Sequence, residues 1–345
     1  MYEMPEQYTP VAPYETPPRP RRRVAPLALL PLVLFAAAFF GGSYLLSPEP
    51  DVEVGPGFGF ARVDGRQAVL VPYGRHGPRG MFQLMAQDVF QVRLAAVDTA
   101  SGELLWDAQL SDRLIWEATV LAAGERYAYL ATDSGLVVVS LADGSVVAGG
   151  ADVVGEAYVA SPTAYAHDPD GRRVVALDAN GVVLAVPLDG VEAVPVEPGP
   201  WAQRLSGNNV PPPPPTAREV RLGAEVLALR DLPVGGVLVR TPGDVPVCDT
   251  VFHGAALLAG AAPAGHVLVQ HQPSVNDRGT ALSAVSLATG RVTATVGTGA
   301  AATRAVTGPD GTTAVAAGDG LVIARADGSL ADLAVGGTDF FGNPT

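Results

Sequence analysis

Leu94-Ala-Ala-Val-Asp-Thr-Ala-Ser-Gly102-Glu-Leu-Leu-Trp106 is the stretch on which the fold turns. A short apolar run enters a small polar turn closed by glycine and then starts back, the pattern of a β-hairpin. Versions of it return as Leu136-Val-Val-Val-Ser-Leu-Ala-Asp-Gly144, Val183-Leu-Ala-Val-Pro-Leu-Asp-Gly190, Leu282-Ser-Ala-Val-Ser-Leu-Ala-Thr-Gly290 and Leu321-Val-Ile-Ala-Arg-Ala-Asp-Gly328. A weaker copy, Val226 to Gly235, fills the gap between the third and fourth of these. The turn glycines 102, 144, 190, 235, 290 and 328 are spaced by roughly 42, 46, 45, 55 and 38 residues, the period of a four-stranded propeller blade.

The second copy shows the plan best, with strands predicted at Ala118–Ala123, Tyr127–Thr132, Leu136–Leu141 and Ser145–Ala148. The third is predicted at Ala157–Ala166, Val174–Asp178, Val182–Leu188 and Val191–Val196, and the sixth at Arg304–Thr307, Thr312–Ala316, Leu321–Ala324 and Ser329–Val335. Stacked sheets bury both faces, which accounts for inner strands of nearly continuous Val, Leu and Ala. The expectation is an all-β β-propeller over 55–345, of about six four-stranded blades with seven as the alternative count, preceded by one transmembrane α-helix.

Residues 24–46 carry no charged side chain and as a helix would measure about 34 Å, enough to cross the hydrocarbon layer. Arg19, Arg21, Arg22 and Arg23 flank one end and Glu49, Asp51 and Glu53 the other, so positive-inside bias puts the N-terminus in the cytoplasm and the large domain outside the cell membrane. A kink is expected at Pro31. The rival is a signal peptide with small residues at Ala36, Ala37 and Ala38, disfavoured by the unbroken apolar length to Leu46. Residues 1–23 form a Pro-rich tail of disordered composition, and 47–54 a linker.

Lysine is absent, and beyond Arg23 there are 18 basic against 32 acidic residues, roughly −14, a charge that repels phosphate backbones and argues against nucleic acid as a partner. Cys248 is the only cysteine, which removes intrachain disulfides and Cys-based zinc sites and is read as a small buried hydrophobe.

Leu94 to Trp106 resembles the repeat of the quinoprotein-like propellers, Leu-x-Ala-Leu-Asp-x-x-Thr-Gly-x-x-x-Trp, with Val97, Asp98, Gly102 and Trp106 at motif positions. Thr289-Gly290 preserves the turn, whereas later copies lack the Trp and often the Asp. The resemblance implies that Trp106 docks one blade against the next. It also raises quinone-dependent dehydrogenation, but that group's calcium, vicinal cysteines and stacking tryptophan have no counterpart in one Cys and three scattered Trp. The branch indicated is membrane-anchored and non-enzymatic, with no cofactor.

His76, His167, His253, His266 and His271 show no metal spacing, Asp168-Pro-Asp170-Gly171 matches the turn repeated at Pro309-Asp310-Gly311, and no Ser-His-Asp arrangement can be assigned. Three irregular segments offer partner-binding loops. They are 73–91, with Arg75, His76 and Arg79; the proline run with Pro211, Pro213 and Pro215; and 270–279, with His271, Asn276 and Arg278. The reading is a membrane-tethered extracytoplasmic binding or scaffold module for a protein or envelope-polymer partner. Its alternatives are a propeller hydrolase or lactonase with a tunnel metal, and a transmembrane sensor signalling through the tail.

Overall fold

A computed structural model describes residues 29–114, 116–206, 215–318 and 320–345. Its plan is all-β and propeller-like: antiparallel sheets follow one another along the chain, and each packs a face on its neighbour. One helix, α1 (Leu30–Leu46), precedes them.

The first sheet contains β1 (Asp51–Val54), β2 (Gly59–Val63), β3 (Arg66–His76), β4 (Phe90–Asp98) and β5 (Leu104–Ser111), with α2 (Gly80–Ala86) between β3 and β4. β1 and β2 pair with different stretches of β3, so the first strand is interrupted around Gly55–Phe58. Gly57 explains the break, because a Cβ there would lie 2.2 Å from the Ala118 carbonyl oxygen, and its own carbonyl accepts from the Val120 N–H at 2.7 Å.

The second sheet is β6 (Ala118–Ala123), β7 (Tyr127–Thr132), β8 (Gly135–Ser140) and β9 (Val146–Gly149), within a residue of the predicted bounds. After α3 (Ala151–Val154), the third is β10 (Tyr165–Asp168), β11 (Arg173–Leu177), β12 (Val183–Pro187) and β13 (Val194–Pro195). Its first strand is shorter than the sequence suggests, because Pro162, which has no N–H for a ladder, begins a single 3-10 turn instead. α4 (Trp201–Leu205) then covers Val175 and Val183 with Leu205 and Trp201.

An eight-stranded sheet follows: β14 (Thr216–Ala217), β15 (Glu219–Leu222), β16 (Glu225–Leu232), β17 (Gly235–Thr241), β18 (Val245–Leu258), β19 (His266–Gln272), β20 (Ala281–Ser286) and β21 (Val292–Gly297). β18 pairs with β17 through its first half and with β19 through its second. Gly235 opens β17 here, whereas the marked glycines of the other copies follow their third strand. The turn that corresponds to them is the one at Gly243, between β17 and β18; turn residues look alike in any hairpin, which hid the shift. Last come β22 (Ala302–Thr307), β23 (Thr313–Ala317), β24 (Gly320–Ala324) and β25 (Leu330–Leu333).

The repeat is sharper in backbone geometry than in residue identity. The N–H groups of Gly102, Gly144 and Gly290 donate to the carbonyls of Asp98, Ser140 and Ser286 at 2.8, 2.9 and 2.8 Å. Each turn is followed by a bulge one residue pair into the next strand pairing, at Ala96/Val97, Val138/Val139 and Ala284/Val285. The second residue of each turn presents a carbonyl, and a side chain from a neighbouring sheet, or from the other half of the eight-stranded one, caps it. Trp106 Nε1 donates to Leu141 O at 2.8 Å, Arg240 Nη2 to Leu287 O at 2.6 Å, and Arg325 Nε to Thr99 O at 3.1 Å. The last contact joins the final sheet to the first, where Ala314, Leu321 and Ile323 pack on Val69, Val71 and Val97. The joint between the second and third sheets uses other groups. Asp189 accepts from the N–H groups of Glu125 and Arg126 at 2.9 and 2.6 Å, and Tyr129 donates to Gly190 O at 2.7 Å. Burial pushes the Tyr129 hydroxyl up to about 12.

Among the described residues no helix is long and apolar enough to cross a membrane. α1 has 17 residues, about 26 Å at the usual rise, and residues 24–28 of the span read from the sequence lie outside the described ones. Pro31 falls in the first turn of the described α1, where its missing N–H breaks no described hydrogen bond, and the preceding residues that a kink would involve, 24–28, lie outside the described ones. Cys248 is buried, and that burial raises its thiol pKa.

Candidate functional site

The first sheet has two unlike ends. Along one face of β3 and β4 the side chains run from Val69, Val71, Ala95 and Val97 to Tyr73, Arg75, Gln91 and Arg93, so the same pleated surface changes from apolar to charged. Arg93 Nε donates to Asp107 Oδ1 at 2.8 Å, and the Tyr73 hydroxyl donates to the other oxygen of that carboxylate. Gln91 Oε1 accepts from both Arg75 Nη2 and Arg93 Nη1 at 2.8 Å, and Gln87 Oε1 accepts from Arg75 Nη2 at 2.8 Å. Two guanidinium groups thus share one amide oxygen, and only Arg93 reaches a carboxylate.

Arg75 is only 3% exposed, yet it has no carboxylate partner, and its Nη1 has no hydrogen-bond partner among the described residues. Burial first, and the nearby Arg93 charge second, lower its pKa from the ordinary value. Burial and the Asp107 carboxylate raise that of Tyr73.

α2, the end of α1 and the C-terminal segment close over this cluster. Gly80, with φ of +78°, brings α2 so near α1 that a Cβ there would lie 2.8 Å from Tyr44 Cα. Ser43 Oγ accepts from the Met81 N–H at 3.0 Å, and the Tyr44 hydroxyl donates to Thr338 O at 3.2 Å. Arg79 pairs with Glu49 at 3.0 Å, and its guanidinium lies 4.5 Å from the Tyr44 ring centre. Gln83 and Gln87 donate to the carbonyls of Asp339 and Gly342, each at 2.8 Å. Phe40, Phe82 and Phe340 form edge and stacked contacts beside them.

A cleft of about 390 Å³ opens near this end between the first two sheets, lined by Glu53, His76, Trp116, Glu117 and Thr119 among others. The His76 ring meets Phe90 edge-on at 5.7 Å. Of the loop residues expected to bind a partner, Arg75 and His76 belong to β3, because the ladder with β4 runs on to the pair His76–Phe90 and leaves 77–89 as the loop. Arg79 is engaged in the α1–α2 contact. Pro211 and Pro213 lie outside the described residues; Pro215 is half-buried, and its carbonyl accepts from Ala259 N–H at 2.7 Å. Asn276 and Arg278 are exposed.

His271 lies on β19, with Nε2 at 2.8 Å from Ser283 Oγ and Nδ1 at 2.8 Å from the Gln272 carbonyl. Ser283 is 1% exposed in mid-strand and also contacts Thr295 Oγ1 at 2.7 Å, so this Ser–His pair has no room for a substrate and serves the core. Trp106 rests on the turn of the second sheet: a Cβ at Gly144 would lie 2.6 Å from its ring. Among the described residues no three His, Cys, Asp or Glu gather as a metal ion would require. Tyr73, Gln83, Gln87, Gln91, Arg93 and Asp107 are not among the residues that the sequence offers as binding; the visible hint for Tyr73, Gln91, Arg93 and Asp107 is polar side chains at alternate positions of otherwise apolar strands, and Gln83 and Gln87 belong to or cap α2.

No family model matches the chain, and no curated protein matches it. Several solved structures are similar in part. An apo AtxE2 isopeptidase is 12% identical over 87% of this chain and 55% of its own, with a TM-score of 0.44. BamB from Moraxella catarrhalis is 12% identical over 83% and 98%, with a TM-score of 0.26. The dihydro-heme d1 dehydrogenase NirN in complex with DHE is 13% identical over 79% and 54%, with a TM-score of 0.28. This chain thus spans about half the length of the isopeptidase and NirN chains. Scores this low carry no argument about the chemistry of this chain.

Proposed function

We propose that the chain is a membrane-tethered, extracytoplasmic six-bladed β-propeller of the quinoprotein-like kind, acting as a non-enzymatic module that holds a protein partner near the bilayer. Dividing the eight-stranded sheet at β18 yields the six units. The observation that carries the reading is the docking of α1. None of its residues is buried, yet its last turn is hydrogen-bonded and stacked into the closed end of the first sheet. A helix of such composition favours lipid, and its fixed attachment turns the opposite end of the sheets, the far end, away from the membrane. Rigid turns at that far end then form the partner-facing surface.

Photocrosslinking in intact membranes tests this. A benzophenone side chain at Ala142 or Asp170, both exposed far-end turn residues, is expected to give one discrete adduct. Recovery of the protein in the soluble fraction overturns the tether, and absence of adducts from every far-end position in membrane-bound protein overturns the scaffold role.

A further inference from the structure

The surface beside α1 is apolar where the rest of the domain is acidic. α2 contains no charged residue; it turns Gln83 inward and Leu84 and Met85 outward, 48% and 75% exposed. Val89 and Phe341 extend the patch at 45% and 60% exposed. Four exposed apolar side chains within one loop and an adjoining tip exceed the scattered exposure usual on a protein surface.

Their place along α1 indicates what covers them. Phe82 and Phe340 border an apolar groove whose other wall is Val33, Ala36, Ala37, Phe40 and Gly41 of α1. At the α-helical rise Phe40 lies about 9 Å short of the helix end at Leu46, so α2 and the tip run alongside the helix rather than beyond it. Elements held at that level next to a helix in lipid lie in the headgroup and upper acyl region, the depth at which interfacial segments bury an apolar face. The neighbouring ionic groups fit this, since Arg79 is paired with Glu49 and stacked on Tyr44, the residue types that mark a membrane interface.

We infer that α2 and the Phe340–Phe341 tip make a second contact with the bilayer, lying on the leaflet from which α1 emerges and fixing the tilt of the domain. This rests on α1 being in lipid, as proposed above. Glu49, Asp51, Asp88 and Asp339 lie within a few residues of α1, Val89 and Phe341 along the chain, and none of the exposed residues of the patch is basic, so the contact is driven by apolar burial and needs no anionic lipid.

The test uses the full chain with Cys248→Ser, reconstituted in phosphatidylcholine vesicles. Single substitutions Leu34→Cys, Met85→Cys, Phe341→Cys and Val245→Cys each carry an environment-sensitive fluorophore, with doxyl quenchers at shallow or deep acyl positions. Quenching of 34 by the deep label and of 85 and 341 by the shallow one, each at least twofold above 245, is expected. Quenching of 34 alone overturns the second contact and leaves the tether standing. No quenching at 34 overturns both. Leu84→Cys and Val89→Cys repeat the measurement should either first-choice variant misfold.

Discussion

Two joints of the molecule perform one task with different side chains. Trp106 and Arg240 each reach from one sheet to the carbonyl of the second turn residue in the next unit, Leu141 and Leu287 respectively. Trp106 brings a large apolar surface against Leu130, Val139 and Leu141, whereas Arg240 is more open to solvent and also pairs with Glu225 at 3.2 Å. The acceptor belongs to the backbone and is the same each time. What repeats is therefore a hydrogen-bonding vacancy in the turn, and the residue that fills it is free to differ. The Trp motif fades after the first copy for that reason, while the architecture persists.

The strongest way to break this comparison is truncation. Trp106→Ala is expected to cost about 3–5 kcal/mol by losing ring burial and leaving Leu141 O uncapped, and Arg240→Ala about 1 kcal/mol, both read from denaturant unfolding. Equal losses would show that the hydrogen bond alone holds the joint. Next in size is the turn glycine. Gly144→Ala meets a positive φ of +75° and the Trp106 ring, about 3 kcal/mol, whereas Gly102→Ala meets a φ of +78° and open space, about 1 kcal/mol. The ratio of the two thermal shifts checks how tightly the ring is seated.

The smallest effect depends on pH. Asp98 starts its turn where the other copies have Ser140 and Ser286, and its carboxylate accepts from the N–H groups of Ala100 and Ser101 at 2.8 and 3.0 Å. The Ser101 N–H above all, with help from Ala100 and Arg66, holds that carboxyl below its ordinary range against the opposing effect of burial. A pKa lower in the folded than in the unfolded protein stabilises fully above about pH 4, and the contribution is lost as the pH falls through the folded value. Asp98→Asn should lower stability by about 1 kcal/mol at pH 7 and flatten the loss of stability as the pH falls below about 4. An unchanged acid slope would show that the turn does not use the charge.

Much of this fold was legible in the sequence because it rests on local signals. The second sheet alternates apolar runs of six, six, six and four residues with glycine-containing turns such as Asp-Ser-Gly and Asp-Gly, and its strands fall within a residue of their predicted bounds. Where one turn chemistry serves several roles, the reading lost phase, as at Gly235. The charged end of the first sheet escaped for a different reason. Gln83, Gln87 and Gln91 mark 73–91 as rich in Gln, but they acquire their roles from Arg75 and from a C-terminal segment some 250 residues away. Arg75 and His76 read as loop residues because they stand in the Gly- and Pro-rich head of the irregular segment 73–91, whereas the partner strand β4 carries the ladder past both.

The dual pairing of β18 means that the chain crosses from one half of the eight-stranded sheet to the other without an intervening loop. Elsewhere a stretch of connecting chain separates successive sheets and can absorb an insertion or a protease cut. Around Phe252 and His253 there is no such slack, so the two halves share one mechanical fate: opening either side strips the other of its edge, and their amide protons should exchange as a single cooperative block.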